Sequence, residues 1–239
     1  MDRGLPLALD GRPALRIRQG EIFVVDGSPW IVTDHFHNDI DKYPSLHCAP
    51  ILGTSELRLD LDVPLIFENS FASLGLMRKL EKQALGPVVN LAHPDEVKQI
   101  RQNLVTWFSV FSFDFDTVRR LPDPPQDPGS IFPGMILDHT GDRVCVVDHW
   151  GCFNNYPLLY VAPVVRELDD PCPLDIDISA DFRDLFSNNY FVRADDLFLA
   201  PRESLAAVSH GAVPMLRYGL LRRITRTMVL KFGQIGLLL

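Results

Sequence analysis

Short apolar runs, broken by Gly, Pro, Asp and Asn, dominate this chain. Residues 22–25, 30–36 and 46–52 are rich in β-branched and aromatic side chains and predict strands. Over 57–63, Leu57, Leu59, Leu61 and Val63 alternate with Arg58, Asp60 and Asp62, a period of two that predicts a half-buried strand. Closely spaced short strands with turn signals between them predict a small barrel. Residues 96–104 carry a helical pattern. The alternating aromatic run 107–115 reads as a strand or as a segment packed across its module.

The same order of runs occurs twice. The first copy reads Gly20, Glu21-Ile-Phe-Val-Val, Trp30-Ile-Val-Thr-Asp-His-Phe, Tyr43-Pro-Ser-Leu-His-Cys-Ala-Pro-Ile-Leu and Leu59-Asp-Leu-Asp-Val. The second reads Gly134, Met135-Ile-Leu, Val144-Cys-Val-Val-Asp-His-Trp, Tyr156-Pro-Leu-Leu-Tyr-Val-Ala-Pro-Val-Val and Leu174-Asp-Ile-Asp-Ile. The offset is 114 at Asp34/Asp148, 113 at Tyr43/Tyr156 and 115 at Asp60/Asp175, with the changes falling between apolar runs. A weaker echo sets Val88-Val-Asn-Leu-Ala against Leu197-Phe-Leu-Ala. The expected organisation is a first module at 16–120, a stiff proline-rich linker at 121–130, a second module at 131–213 and a basic helical tail at 214–239.

In the tail, Leu216, Leu220, Ile224 and Met228 recur at helical spacing, and Arg222, Arg223 and Arg226 stand off that stripe. The net charge of −8 is unevenly spread. From residue 214 onward there are five basic residues (Arg217, Arg222, Arg223, Arg226, Lys231) and no acid, which leaves 18 basic against 31 acidic residues elsewhere, a balance of −13. So acidic a body repels a phosphate backbone, and the tail is where cations cluster. It reads as a capping helix with a solvated basic face, or as a surface for an acidic partner or nucleic acid.

No run approaches the ~20 apolar residues of a membrane span, and the first 18 residues do not read as a signal peptide. Cys48, Cys145, Cys152 and Cys172 show no CxxC pairing and sit in or beside apolar runs, which fits a reduced, cytoplasmic chain. Asp34-His35 and Asp148-His149 resemble acid–base pairs. Adjacent strand residues point to opposite faces, however, so each aspartate is poorly placed to orient its neighbouring histidine. A half-buried or surface histidine is the competing account. Asp60/Asp62 and Asp175/Asp177 read as the solvated face of amphipathic strands, and no metal site or cofactor is expected.

Taken together, the Gly-Glu-Ile opening, the apolar strand ending at Asp34, the strands over 43–51 and 156–164 and the late strand over 197–205 resemble the PemK/MazF family of toxins from toxin–antitoxin systems. The resemblance covers about 80–90 residues of each copy. It implies a mainly β fold with short helices (α+β): two SH3-like small barrels in one chain, paired as a pseudo-dimer, plus a C-terminal helix. It implies a monomer in solution, an antitoxin-like or other protein partner, and RNA as the nucleic acid. Active relatives cleave RNA without a metal, using an arginine just before the second strand and a threonine or serine at the end of the third. Here those positions hold Ser28 and Asp142, and Leu52 and Val165. The expected function is therefore a catalytically degenerate binding or regulatory module. The alternative is an active metal-independent endoribonuclease with a site rebuilt from Arg143, His149, His35 and Thr54.

Overall fold

The computed structural model describes residues 17–35, 44–56, 58–108, 130–166, 172, 174–179, 189–208 and 215–232. It is mainly β, with two curled antiparallel sheets and few helices. The chain divides into two compact units, Met1–Leu104 with Leu230–Gln234, and Val105–Val229 with Ile235–Leu239.

The first unit opens with β1 (Glu21–Val25) and β2 (Ser28–Val32), joined by Asp26 and Gly27. Both linking residues have positive φ, 51° and 79°, as a two-residue hairpin with the right-handed strand twist requires. There follow β3 (Ser45–Gly53), β4 (Val63–Leu65), β5 (Ser70–Ala72), β6 (Arg78–Glu81) and β7 (Val88–Leu91). They assemble in the order β4-β5-β3-β2-β1-β7, with β6 also on β3. Phe23, Val32, Leu46 and Cys48 bury their alternating inward faces around Ile17, with Trp30, Leu80 and Leu85 packed against them.

Helix α1 (Pro94–Phe108) starts at a built cap. Pro94 occupies the first helical position, and the Glu96 carboxylate accepts the His93 backbone N–H at 2.6 Å.

The second unit repeats these connections. Strands β8 (Ile136–His139) and β9 (Asp142–Val146) are joined by Thr140 and Gly141, with φ of 55° and 94°. A five-residue helix α2 (His149–Phe153) precedes β10 (Leu158–Val165), and β11 (Asp175–Asp177), β12 (Phe191–Arg193), β13 (Phe198–Pro201) and β14 (Leu205–Ala207) follow. The order is β11-β12-β10-β9-β8-β14, with β13 also on β10, element for element that of the first sheet. Leu137, Val144, Val146, Leu159 and Val161 form the core. Trp107 sits 4.7 Å from the Trp150 ring and 5.9 Å from Tyr160. Helix α3 (Tyr218–Lys231) is the last element described.

Strand pairing revises several expected details. The apolar runs at 30–36 and 144–150 stop being strand at Val32 and Val146, because Asp34 and Asp148 turn their carboxylates onto backbone N–H groups. Over the described residues 58–62, the expected alternating strand is not formed. Asp62 is buried and accepts the N–H groups of Leu59 and Leu74, each at 2.8 Å, which folds the segment into a turn and leaves only Val63–Leu65 extended. Asp60 stays exposed, so the two carboxylates do not share a solvated strand face. Its counterpart in the repeat also changes: Asp175 accepts Cys172 N–H at 2.7 Å as Asp62 accepts Leu59 N–H, so Asp62 matches Asp175, at an offset of 113. The echo of Val88 in Leu197 is likewise displaced. Strand β13 pairs with β10 as β6 pairs with β3, so Leu197 corresponds to Met77, and Val88 belongs with β14. The run 107–115 begins inside α1, and its remainder, like 121–129 of the proline-rich stretch and 211–214 before the tail, lies outside the described residues.

Candidate functional site

Register decides which side chains share one end of each sheet. In the second unit, Val144 pairs with Pro163 across β9/β10, and Val165 with Phe191 across β10/β12. Arg143, Arg166 and Tyr190 therefore converge from three neighbouring strands. Arg143 Nη1 donates to the Tyr190 phenol oxygen at 2.9 Å, and Arg166 Nε donates to the same oxygen at 3.0 Å. The two guanidinium carbons lie 5.4 and 5.9 Å from the ring centre. Tyr190 is 3% exposed, Arg143 is half-buried and Arg166 is exposed. Burial by itself raises the Tyr190 pKa, but the Arg166 hydrogen bond and the charges of Arg143 and Arg166 outweigh it and hold the phenol below its ordinary 10.0. Asp142, which stands at the position of the family's arginine, is the exposed neighbour of Arg143 on a strand where successive side chains alternate in face.

The equivalent register in the first unit runs Trp30 to Pro50 and Leu52 to Phe71. It places Pro29, Gly53 and Ser70 where the second unit has Arg143, Arg166 and Tyr190. No cation or phenol stands there.

Within each unit, the two expected catalytic residues stand apart. His149 opens α2, six residues beyond Arg143, roughly 20 Å away along extended chain. Its ring lies 4.7 Å from Phe153, and burial lowers its pKa from 6.5 to about 4. In the first unit, Thr54 is an exposed turn residue just past β3, whereas His35 lies beyond the far end of β2 and donates its backbone N–H to the Lys231 carbonyl at 3.0 Å. Because β2 and β3 run antiparallel, these two also occupy opposite ends of the ladder. Partial burial and the Arg101 charge hold the His35 pKa below 6.5.

Each aspartate of the two Asp-His pairs has a structural partner set instead. Asp34 Oδ2 accepts the His47 N–H at 2.7 Å and lies 3.3 Å from His47 Nδ1 and 3.4 Å from Lys231 Nζ. All three side chains are buried. Asp148 Oδ2 accepts the Tyr160 N–H at 3.0 Å, and Oδ1 caps α2 through Gly151 N–H at 2.6 Å. Burial raises the Asp148 pKa to about 6, against these hydrogen bonds and the charge of Arg202. The Trp107 indole also lies near enough to favour the charged carboxylate.

On α3, Leu221, Ile224 and Met228 are buried, while Arg222, Arg223 and Arg226 are exposed, as is Arg217 just before the helix. Lys231 departs from the expected basic surface. It lies three residues beyond Met228 on the apolar stripe, so its ammonium is carried inward to Asp34.

Sequence reasoning singled out Arg143 but missed Arg166, Tyr190 and His47. Arg166 and Tyr190 lie 23 and 47 residues from Arg143, and no local spacing links them. Among the described residues, no group of three or more His, Cys, Asp or Glu side chains could hold a metal ion, and no helix is long and apolar enough to cross a membrane.

No family model matches the sequence, and no curated protein matches it. Among solved structures, the chain is similar to a mycobacterial endoribonuclease determined in complex with its cognate antitoxin. That likeness has a TM-score of 0.29 at 15% identity and covers 38% of this chain and 92% of the other. It does not establish a family or an activity.

Proposed function

We infer that this chain is a PemK/MazF-like pseudo-dimer, two SH3-like barrels in tandem, whose catalytic positions have degenerated and which acts as a binding or regulatory module. The reading rests on the sequence resemblance and on one structural observation. Every histidine offered as a base stands at the opposite end of the strand ladder from the arginine or threonine it would serve. General base catalysis needs the base within hydrogen-bond reach of the proton it removes, so such a separation forgoes about 10²–10⁴ in rate. The contact surface is the exposed arginine face of α3, on an otherwise acidic body. Its partner is a polyanion, either RNA or an acidic antitoxin-like protein.

A second reading, an active metal-independent endoribonuclease, draws on the Arg143–Tyr190–Arg166 cluster, which supplies cations and a phenol of lowered pKa in the second module. Expression in a bacterial host, with growth and total RNA followed over time, separates the two. Unchanged growth and intact RNA support the module. Growth arrest with RNA fragmentation that disappears in Arg143→Ala supports the nuclease. Light scattering should report one chain of 27.0 kDa, since the second module takes the place of a partner subunit.

A further inference from the structure

We propose that the first unit carries a socket for a primary ammonium group, built on Asp34 and His47, which Lys231 fills from within the chain. The proposal goes beyond the module reading, because it concerns how the end of α3 is held and not what its arginine face binds.

Helices α1 and α3 share one pattern of buried positions. Ile100, Leu104, Trp107 and Phe108 match Ile224, Met228, Lys231 and Phe232 at an offset of 124. Apolar or aromatic side chains fill all of these positions except the one held by Lys231. Trp107 lies near Asp148 in the second unit, and Lys231 lies near Asp34 in the first. The two aspartates are themselves equivalent in the repeat. A lysine in the place of a buried tryptophan is costly unless its charge is met, so the cation reflects the chemistry of the first unit's site.

That site is set by the sheet. Thr33 donates to the His47 carbonyl through its N–H at 3.0 Å and its hydroxyl at 2.9 Å, and His47 N–H donates to Asp34 Oδ2 at 2.7 Å. These bonds continue the β2/β3 ladder beyond the Val32–Cys48 pair and fix the carboxylate in place. The His47 ring lies 3.3 Å from the same oxygen, and Lys231 Nζ lies 3.4 Å from it. An ammonium is a compact point charge with three donors, which suits a single buried carboxylate oxygen.

The same wall takes up the end of the helix. The last carbonyls of a helix lack partners within it. His35 N–H donates to the Lys231 carbonyl at 3.0 Å, and Gln19 Nε2 to the Phe232 carbonyl at 3.3 Å. Arg101 Nε in turn donates to Gln19 Oε1 at 2.6 Å. Every one of these residues belongs to the first unit. His35 is exposed, so the lip of the socket reaches solvent.

Chemical complementation tests the socket. Lys231→Ala removes the equivalent of n-propylammonium from a fully buried position, and a cavity left by truncation can take up a small molecule that fits it. In the full-chain variant, n-propylammonium chloride should raise the melting temperature saturably. The folded-to-unfolded ratio should rise about tenfold at about ten times the Kd. Sodium chloride at equal ionic strength and 1-propanol should not reproduce this. Wild type and Lys231→Met, whose side chains fill the cavity, should show the salt response alone. Adding Asp34→Asn to Lys231→Ala should abolish the rescue. If Lys231→Ala does not fold alone, the same series is read as refolding yield.

No saturable response to n-propylammonium would overturn the socket. So would equal rescue by 1-propanol, which marks a merely apolar void, or rescue that persists without the Asp34 carboxylate. RNA binding by the arginine face of α3 is measured separately, so either idea can fail without the other.

Discussion

Lys231, the last residue of α3, brings its ammonium to 3.4 Å from the Asp34 carboxylate, and the two side chains are 0% and 1% exposed. Asp34 also accepts the His47 backbone N–H and faces the His47 ring. Removing one partner of a buried pair strands the other charge, at about 3–5 kcal/mol. Lys231→Met and Asp34→Asn should each lower the urea unfolding free energy by roughly that amount. The double variant should lose clearly less than the sum of the two. Simple additivity would show that the pair does not act as a unit.

Asp148 and His149 set opposing pH dependences. Asp148 is raised from 3.8 to about 6 by burial, so the stability it contributes is present below pH 3.8 and lost as pH rises through 6. His149 is lowered from 6.5 to about 4 by burial, so its contribution is present above pH 6.5 and lost as pH falls through 4. In the wild type the two slopes largely cancel between pH 4 and 6. Asp148→Asn should expose the histidine slope, with melting temperature rising from pH 4 to 6.5. His149→Gln should expose the aspartate slope, with melting temperature falling from pH 4 to 6. Thermal scans across that range check both signs.

Replacing Arg222, Arg223 and Arg226 with glutamine should weaken single-stranded RNA binding and flatten its salt dependence. Each lost phosphate contact removes about 0.7 from the slope of log K against log salt. All three side chains are exposed, so melting should hardly change. His35→Ala and His149→Ala should leave that slope as it is, since neither residue belongs to the helix. Filter binding at several salt concentrations measures all of these.

Glycines at positive φ should differ in cost according to their surroundings. At Gly141, φ is 94° and an added Cβ meets nothing within 4 Å, so Gly141→Ala should cost only the backbone term, about 1–2 kcal/mol. At Gly20, φ is 88° and a Cβ would fall 2.5 Å from Val97 Cγ2, which adds a clash between the first strand and α1. Gly20→Ala should therefore be the more destabilising of the two by chemical denaturation.

Strands were legible where burial follows local chemistry. Residues 22–25 and 46–52 alternate or run apolar because each lies on a curled sheet with one face inward, and α1 announced itself through its apolar spacing. Gly20 and Gly134 marked equivalent points, and each donates its N–H to the residue that ends the second strand, Val32 or Val146. The arginine face of α3 was visible for the same reason, since a helix sorts polar and apolar positions by its own period.

What the sequence alone determined is the β-rich character, the order of elements given twice, and the basic face of the tail, all carried by neighbours a few residues apart. Which side chains meet was decided by strand register and chain reversal. Asp62 was written in an alternating run, yet its carboxylate captured two backbone N–H groups and broke the strand. Lys231 belonged by charge to the surface and by helical position to the interior, and the buried Asp34 settled its place. Arg143, Arg166 and Tyr190 are dispersed along the chain and adjacent only across β9, β10 and β12. A pairing between distant strands leaves no local period in a sequence, so that cluster exists only once the sheet has closed.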